Sequence, residues 1–100
     1  MLFKEKEPLF QGRRFDGEVD GFFVQVQVFD EPSHYGIAKG RISRLVVLPN
    51  ANTAFSKWLA NYDRGWDGGP PTERVVRAVV EKTVRYFDQK DINWSFEADR

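Results

Sequence analysis

Cysteine is absent from all 100 residues. Disulfide staples, thiolate metal sites and cysteine nucleophiles are excluded together. Histidine is nearly absent too. His34 stands alone in a loop-like Pro32-Ser33-His34-Tyr35-Gly36, so it has no histidine partner at metal-ligand spacing, and acid–base work would fall on carboxylates. No stretch approaches the ~20 apolar residues of a membrane-spanning helix. Residues 1–7 lack an apolar run of signal-peptide length. The expectation is a cytoplasmic protein with no membrane partner. Charge of one sign is also missing, because 15 basic and 15 acidic residues cancel. Phosphate neutralisation supplies most non-specific affinity for nucleic acid, so the balance argues against a general nucleic-acid binder. A net charge of zero leaves little repulsion between copies, which favours self-association.

What is present is apolar material. Hydrophobic residues make up 41% of the chain and aromatics 15%, enough to build one packed core and too much for a disordered chain. Residues 1–100 are read as a single domain, with 1–9 a loose charged lead-in ending near Pro8 and 92–100 a tail.

The order of elements follows from periodicity. Residues 12–18 alternate, with Phe15, Gly17 and Val19 on one side and Arg14, Asp16 and Glu18 on the other. Asp20-Gly21 then predicts a tight hairpin, because a type I′ turn needs positive φ at both central residues. The next strand is the clearest: Phe22, Val24, Val26 and Val28 face the core, and Phe23, Gln25, Gln27 and Phe29 face the other way. Residues 41–48 form a third strand with two mixed faces, which fits a central strand or a β-bulge. After the turn cluster Pro49-Asn50-Ala51-Asn52, residues 55–62 read as a fourth strand. A helix follows Pro70-Pro71, with Thr72 as its N-cap. Val76, Val79, Val80, Thr83, Val84 and Phe87 form its apolar stripe. Glu73, Arg77, Glu81 and Arg85 run opposite as an alternating-charge solvated row. Ile92, Trp94 and Phe96 alternate and fit a short strand or an edge cover. The fold class is α+β: an antiparallel sheet of about four strands with one C-terminal α-helix packed on one face. One helix covers only part of such a sheet, and the glutamine face, with Phe23 and Phe29, suits a homodimer.

The densest chemistry lies in Tyr62-Asp63-Arg64-Gly65-Trp66-Asp67-Gly68-Gly69-Pro70-Pro71. Phe29-Asp30-Glu31-Pro32-Ser33, Gly36-Ile37, Gly40-Arg41-Ile42-Ser43-Arg44-Leu45 and Asn61-Tyr62-Asp63-Arg64-Gly65-Trp66-Asp67 occur in that order and at close spacing. The set resembles a family of small bacterial and prophage proteins, defined only as a domain of unknown function, over residues 17–87. The resemblance implies a small stand-alone accessory protein of phage type. It carries over no catalytic residues.

Two readings of the corner stand side by side. In the functional one, Trp66 and Arg64 supply a recognition surface with Asp63 and Asp67 as acceptors and Tyr35 and His34 beside them, since Trp and Arg are enriched at binding hot spots. In the architectural one, Trp66 tucks over the helix start and Asp63 or Asp67 pairs with Arg41, Arg44 or a helix N–H. A phosphate cradle fits poorly, because two prolines lack N–H donors and no Lys-Ser/Thr pair follows the glycines. Asp30, Glu31, His34, Asp63 and Asp67 make a weak metal set. Ser33-His34 has no nucleophile context. Arg13-Arg14 with Arg41 and Arg44 offers a strand-based nucleic-acid face, opposed by Asp16, Glu18 and Asp20. The expectation is therefore a non-enzymatic module with no catalytic residues, metal or cofactor. It binds another protein through Trp66, Arg64, Asp63, Asp67, Tyr35 and His34. The alternatives are a single-stranded nucleic-acid or nucleotide binder using the sheet face, and a small-ligand sensor.

Overall fold

A computed structural model describes residues 2–8 and 11–98. Met1 and Leu9 of the expected lead-in, and residues 99–100 of the tail, lie outside the described residues. Five strands form one antiparallel sheet in simple chain order: β1 (Leu2–Lys6), β2 (Arg13–Val19), β3 (Phe22–Val28), β4 (Ile42–Leu48) and β5 (Ala60–Asp63). The helix α1 (Arg74–Asp88) lies across the valine face, and a short helix α2 (Trp94–Ala98) follows. The α+β layer holds, with one strand more than expected.

The extra strand is a correction to the loose lead-in. Residues 2–6 pair antiparallel with residues 14–18, Phe3 opposite Gly17. A Cβ on Gly17 would stand 2.7 Å from the Phe3 ring, so the glycine supplies the room that seats Phe3. The buried Phe3 ring then lies 5.0 Å from both Tyr86 and Phe87, and Phe87 lies 5.1 Å from Phe15. These rings tie the sheet edge to the last turns of α1. On the same face, at its exposed end, Arg13 forks onto Glu5, with both bonds 2.8 Å. The hydrogen bond from Arg13 holds the Glu5 carboxyl below its ordinary pKa. Ionised Glu5 therefore favours the paired edge at neutral pH, and that preference fades as the pH falls through the carboxylate range.

The hairpin and the central strands follow the pattern of the sequence. Asp20 and Gly21 both have positive φ, 53° and 86°, as the type I′ turn requires. Lys82 reaches the tip from α1, donating to both Asp20 oxygens at 2.9 and 2.7 Å. Between β3 and β4 the register passes from Gln27↔Arg44 to Val28↔Ile42. Ser43 is the extra residue of a β-bulge, which explains the mixed faces of β4. Residues 55–62 are not one strand: Phe55–Lys57 is a single 3₁₀ turn and pairing resumes at Ala60.

Val76, Val79, Val80, Thr83 and Val84 are buried, as the stripe predicts. Each fully buried valine contributes about 2 kcal/mol, which offsets the weak helix propensity of a Val-rich segment. Two details differ. The residue at the cap is Glu73, without a side-chain bond, rather than Thr72. The charged row is not uniformly solvated either. Trp94 donates to Glu81 at 2.8 Å, and the Arg77 guanidinium lies 4.9 Å from the Trp94 ring centre. Both helix residues are drawn under α2, which stands where Ile92, Trp94 and Phe96 suggested a short strand or an edge cover.

At the other end of α1, Gln89 caps the helix with φ 54°. A left-handed conformation costs a residue with a Cβ about 1–2 kcal/mol. Gln89 is exposed. Gln89→Gly is expected to raise stability by about 0.5–1 kcal/mol, allowing for the glycine's extra unfolded-state entropy. A melt followed by far-UV circular dichroism should therefore shift upward by several degrees. A lower midpoint would show that the side chain contributes more than the backbone loses.

Candidate recognition site

Two tight loops build the site. After β5 the chain reverses within four residues. Asp63 N–H donates to Gly65 O at 2.9 Å, Arg64 N–H to Ser43 O at 3.0 Å, and Asp67 N–H to Asn61 O at 2.9 Å. Trp66 thereby pairs back on Tyr62. The second loop, residues 30–41, depends on a close approach. A Cβ on Gly36 would lie 2.0 Å from Gly40 O, and a Cβ on Gly40 would lie 2.2 Å from Asp88 Oδ2. That Asp88 carboxylate accepts from Arg41 N–H at 3.0 Å and from Arg41 Nε at 3.1 Å, while Arg41 Nη2 donates to Phe87 O. The Gly36–Arg41 motif is thus a lock between the loop, β4 and the end of α1.

Tyr62 joins the two loops. Its ring is buried and its hydroxyl donates to Tyr35 O at 2.6 Å. Trp66 packs edge-on against it, with ring centres 4.9 Å apart, and lies 6.0 Å from Trp94. The indole Nε1 donates to Glu97 Oε1 at 3.0 Å, and Glu97 Oε2 accepts from Ala38 N–H at 3.1 Å. Glu97 is only 2% exposed. The half-buried Trp66 therefore sits beneath α2 rather than over the start of α1.

Arg64 occupies the tip. Its φ is 58° although glycine stands next to it at position 65, so the guanidinium is held there at a backbone cost of about 1 kcal/mol. Its Cζ lies 5.9 Å from the ring centre of Tyr35, which is 57% exposed. The exposed His34 ring stands edge-on to Tyr35 at 5.6 Å. Tyr35 turns outward partly because its N–H is fixed to Ser33 Oγ at 2.9 Å.

Tyr35 and Arg64 form a ridge between two hollows. A crevice of about 480 Å³ is lined by His34, Tyr35, Lys39, Arg64, Trp66 and Phe96, among others. A second hollow, of about 500 Å³, has Phe29, Asp30, Glu31 and Ser43 in its walls and shares Tyr35 and Arg64. Of the six residues marked in the sequence, Trp66, Arg64, Tyr35 and His34 converge on the crevice. Asp63 does not: it lies 3.7 Å from Arg44 in a neighbouring depression. Asp67 lies in another, near Trp58, Pro70 and Val76, where its Oδ2 accepts from Asn61 Nδ2 at 3.4 Å. Sequence reasoning missed Lys39, Phe96 and Glu97. The usable signal was Trp94 and Glu97 at helical spacing, on one face of a turn.

Among the described residues no three His, Asp or Glu gather closely enough to share a metal ion. The arginines considered for a nucleic-acid face each meet a carboxylate: Arg13 with Glu5, Arg14 with Asp16, Arg41 with Asp88 and Arg44 with Asp63. No helix among the described residues is long and apolar enough to cross a membrane.

A family model described as a domain of unknown function, DUF7678, matches residues 13–88. No curated protein and no solved structure matches the chain. Strand β1 and helix α2, with Glu97, lie outside the matched residues.

Proposed function

The chain belongs to the DUF7678 family, a domain of unknown function, and on that premise we propose that it is a non-enzymatic module that docks on another protein through the Tyr35–Arg64 ridge. The accessory, phage-type setting of this reading comes from the motif resemblance. One observation carries the docking role: Arg64 is held in a left-handed backbone conformation, over an exposed tyrosine, with no carboxylate partner among the described residues. A glycine would relieve that backbone, and the exposed guanidinium meets the exposed Tyr35 ring rather than the core. Arg, Tyr and Trp are the side chains that dominate binding hot spots. Trp66 takes part differently. Its indole edge lines the crevice while its N–H is spent on Glu97, so it is the floor of the site rather than its handle.

The test is affinity capture from host lysate with the wild-type chain and with a Tyr35→Ala/Arg64→Ala variant. Both side chains are exposed, so the variant should melt within about 0.5–1 kcal/mol of wild type. Proteins retained by the wild type should fall about thirtyfold on the variant, the equivalent of a 2 kcal/mol hot spot. Equal recovery on both would refute the reading.

A further inference from the structure

We infer that the ridge reads a short extended peptide in one orientation, with an acidic residue over the crevice and an apolar anchor in the second hollow. The inference rests on the protein-binding reading and adds the chemistry of the partner to it.

The charge pattern carries the argument. On the crevice side, Lys39 Nζ lies 5.2 Å from the Phe96 ring centre and Arg64 lies over Tyr35. Neither cation has a carboxylate partner among the described residues. The carboxylate in this crevice, Glu97, is buried and points its oxygens at Trp66 and Ala38. Among the described residues the crevice therefore offers two cations at its rim against one inward-turned anion, with aromatic walls between. That complements a carboxylate carried on an apolar segment. Across the ridge the sign reverses. The second hollow has Phe29 and Tyr35 as apolar walls, and Asp30 and Glu31 in its lining outnumber the shared Arg64. An acidic side chain is repelled there. An apolar one fits, and a basic residue just beyond it is favoured.

The shape argues for crossing the ridge rather than adding a strand. The outer edge of β5 is already taken by the return of the chain, where Trp66 pairs with Tyr62 and Asp67 N–H bonds Asn61 O. A partner strand would find its ladder positions filled.

The test pans an unbiased library of short linear peptides on the full chain and on Lys39→Glu and Arg64→Ala variants. The wild type should enrich peptides with an Asp or Glu close to an apolar residue. Those peptides should bind Arg64→Ala at least tenfold more weakly. Lys39 is exposed, so Lys39→Glu should fold normally and invert the preference, selecting Lys or Arg where the wild type selected an acid. Charge-blind peptides, an unchanged preference on Lys39→Glu, or no enrichment over bare matrix would each overturn the inference. So would displacement of the selected peptides by a single-stranded oligonucleotide or by a second copy of the chain, because either would make phosphate or self-association the ligand. The lysate comparison separates the two claims. Ridge-dependent capture alongside charge-blind peptides removes the orientation rule alone, whereas ridge-independent capture removes the docking role itself.

Discussion

Gly36→Ala is expected to destabilise the protein by on the order of 3 kcal/mol or more. The glycine's own backbone is ordinary, φ −77° and ψ 155°, so the cause is space and not conformational freedom. The added methyl would lie 2.0 Å from the Gly40 carbonyl oxygen and 2.8 Å from its carbon. Both are backbone atoms, and the segment that carries them cannot retreat. Gly40 N–H is bonded to Ile37 O at 2.9 Å, Gly40 O accepts from Ser33 N–H at 3.0 Å, and the next residue is clamped to Asp88. The loop must open, and Tyr35 moves with it. For a domain of this size the loss corresponds to a fall in Tm of roughly 12–24 °C. Gly40→Ala should cost less, because the atom in its way, 2.2 Å off, is the side-chain Oδ2 of Asp88, which can swing aside at the expense of its bonds to Arg41. The double variant should cost little more than Gly36→Ala alone, because both break the same lock. A thermal melt of Gly36→Ala within about 1 kcal/mol of wild type would show that the loop has slack these distances do not reveal.

The second large effect is expected at Glu97. Truncation to Ala removes the acceptor from both the Trp66 indole N–H and the Ala38 N–H. A buried donor left unsatisfied costs about 1–3 kcal/mol, and these two are partly buried, so Glu97→Ala should lose about 2–3 kcal/mol in all. Glu97→Gln keeps one acceptor oxygen and turns an NH₂ toward the other donor, and should fall about midway. Urea denaturation measures the loss. Hydrogen exchange of the Trp66 indole, fast in Glu97→Ala and slow in wild type, places it. Full stability in Glu97→Ala would mean that water serves both donors equally well.

These two sites show where the sequence was readable. The valine stripe of α1, the Asp20-Gly21 turn and the alternation of β3 are local patterns, and local patterns survive into the fold. Strand β1 was hidden because Lys4, Glu5 and Lys6 are the charged side chains that protect a sheet edge. Its one buried residue, Phe3, depends on space left by Gly17 on the neighbouring strand. Helix α2 was hidden because Ile92, Trp94 and Phe96 alternate like a strand, whereas the contacts that fix it come from Trp94 and Glu97. At the site, the residue types around Trp66 were conspicuous in the chain. Their division of labour was not, since it depends on the meeting of two loops. The same loops assign Gly36, Gly40, Arg41, Tyr62 and Trp66 to construction and leave Tyr35 and Arg64 outside.

The two indoles at the base of the site, 6.0 Å apart and inclined by 42°, form a built-in optical pair. Chromophores this close share their excited states, so the folded chain should give a paired positive and negative dichroic band in the ultraviolet that neither ring would give alone. The signal exists only while the C-terminal turn is seated on the corner. It offers a label-free readout of that seating, and Trp58, in a separate depression, contributes only background.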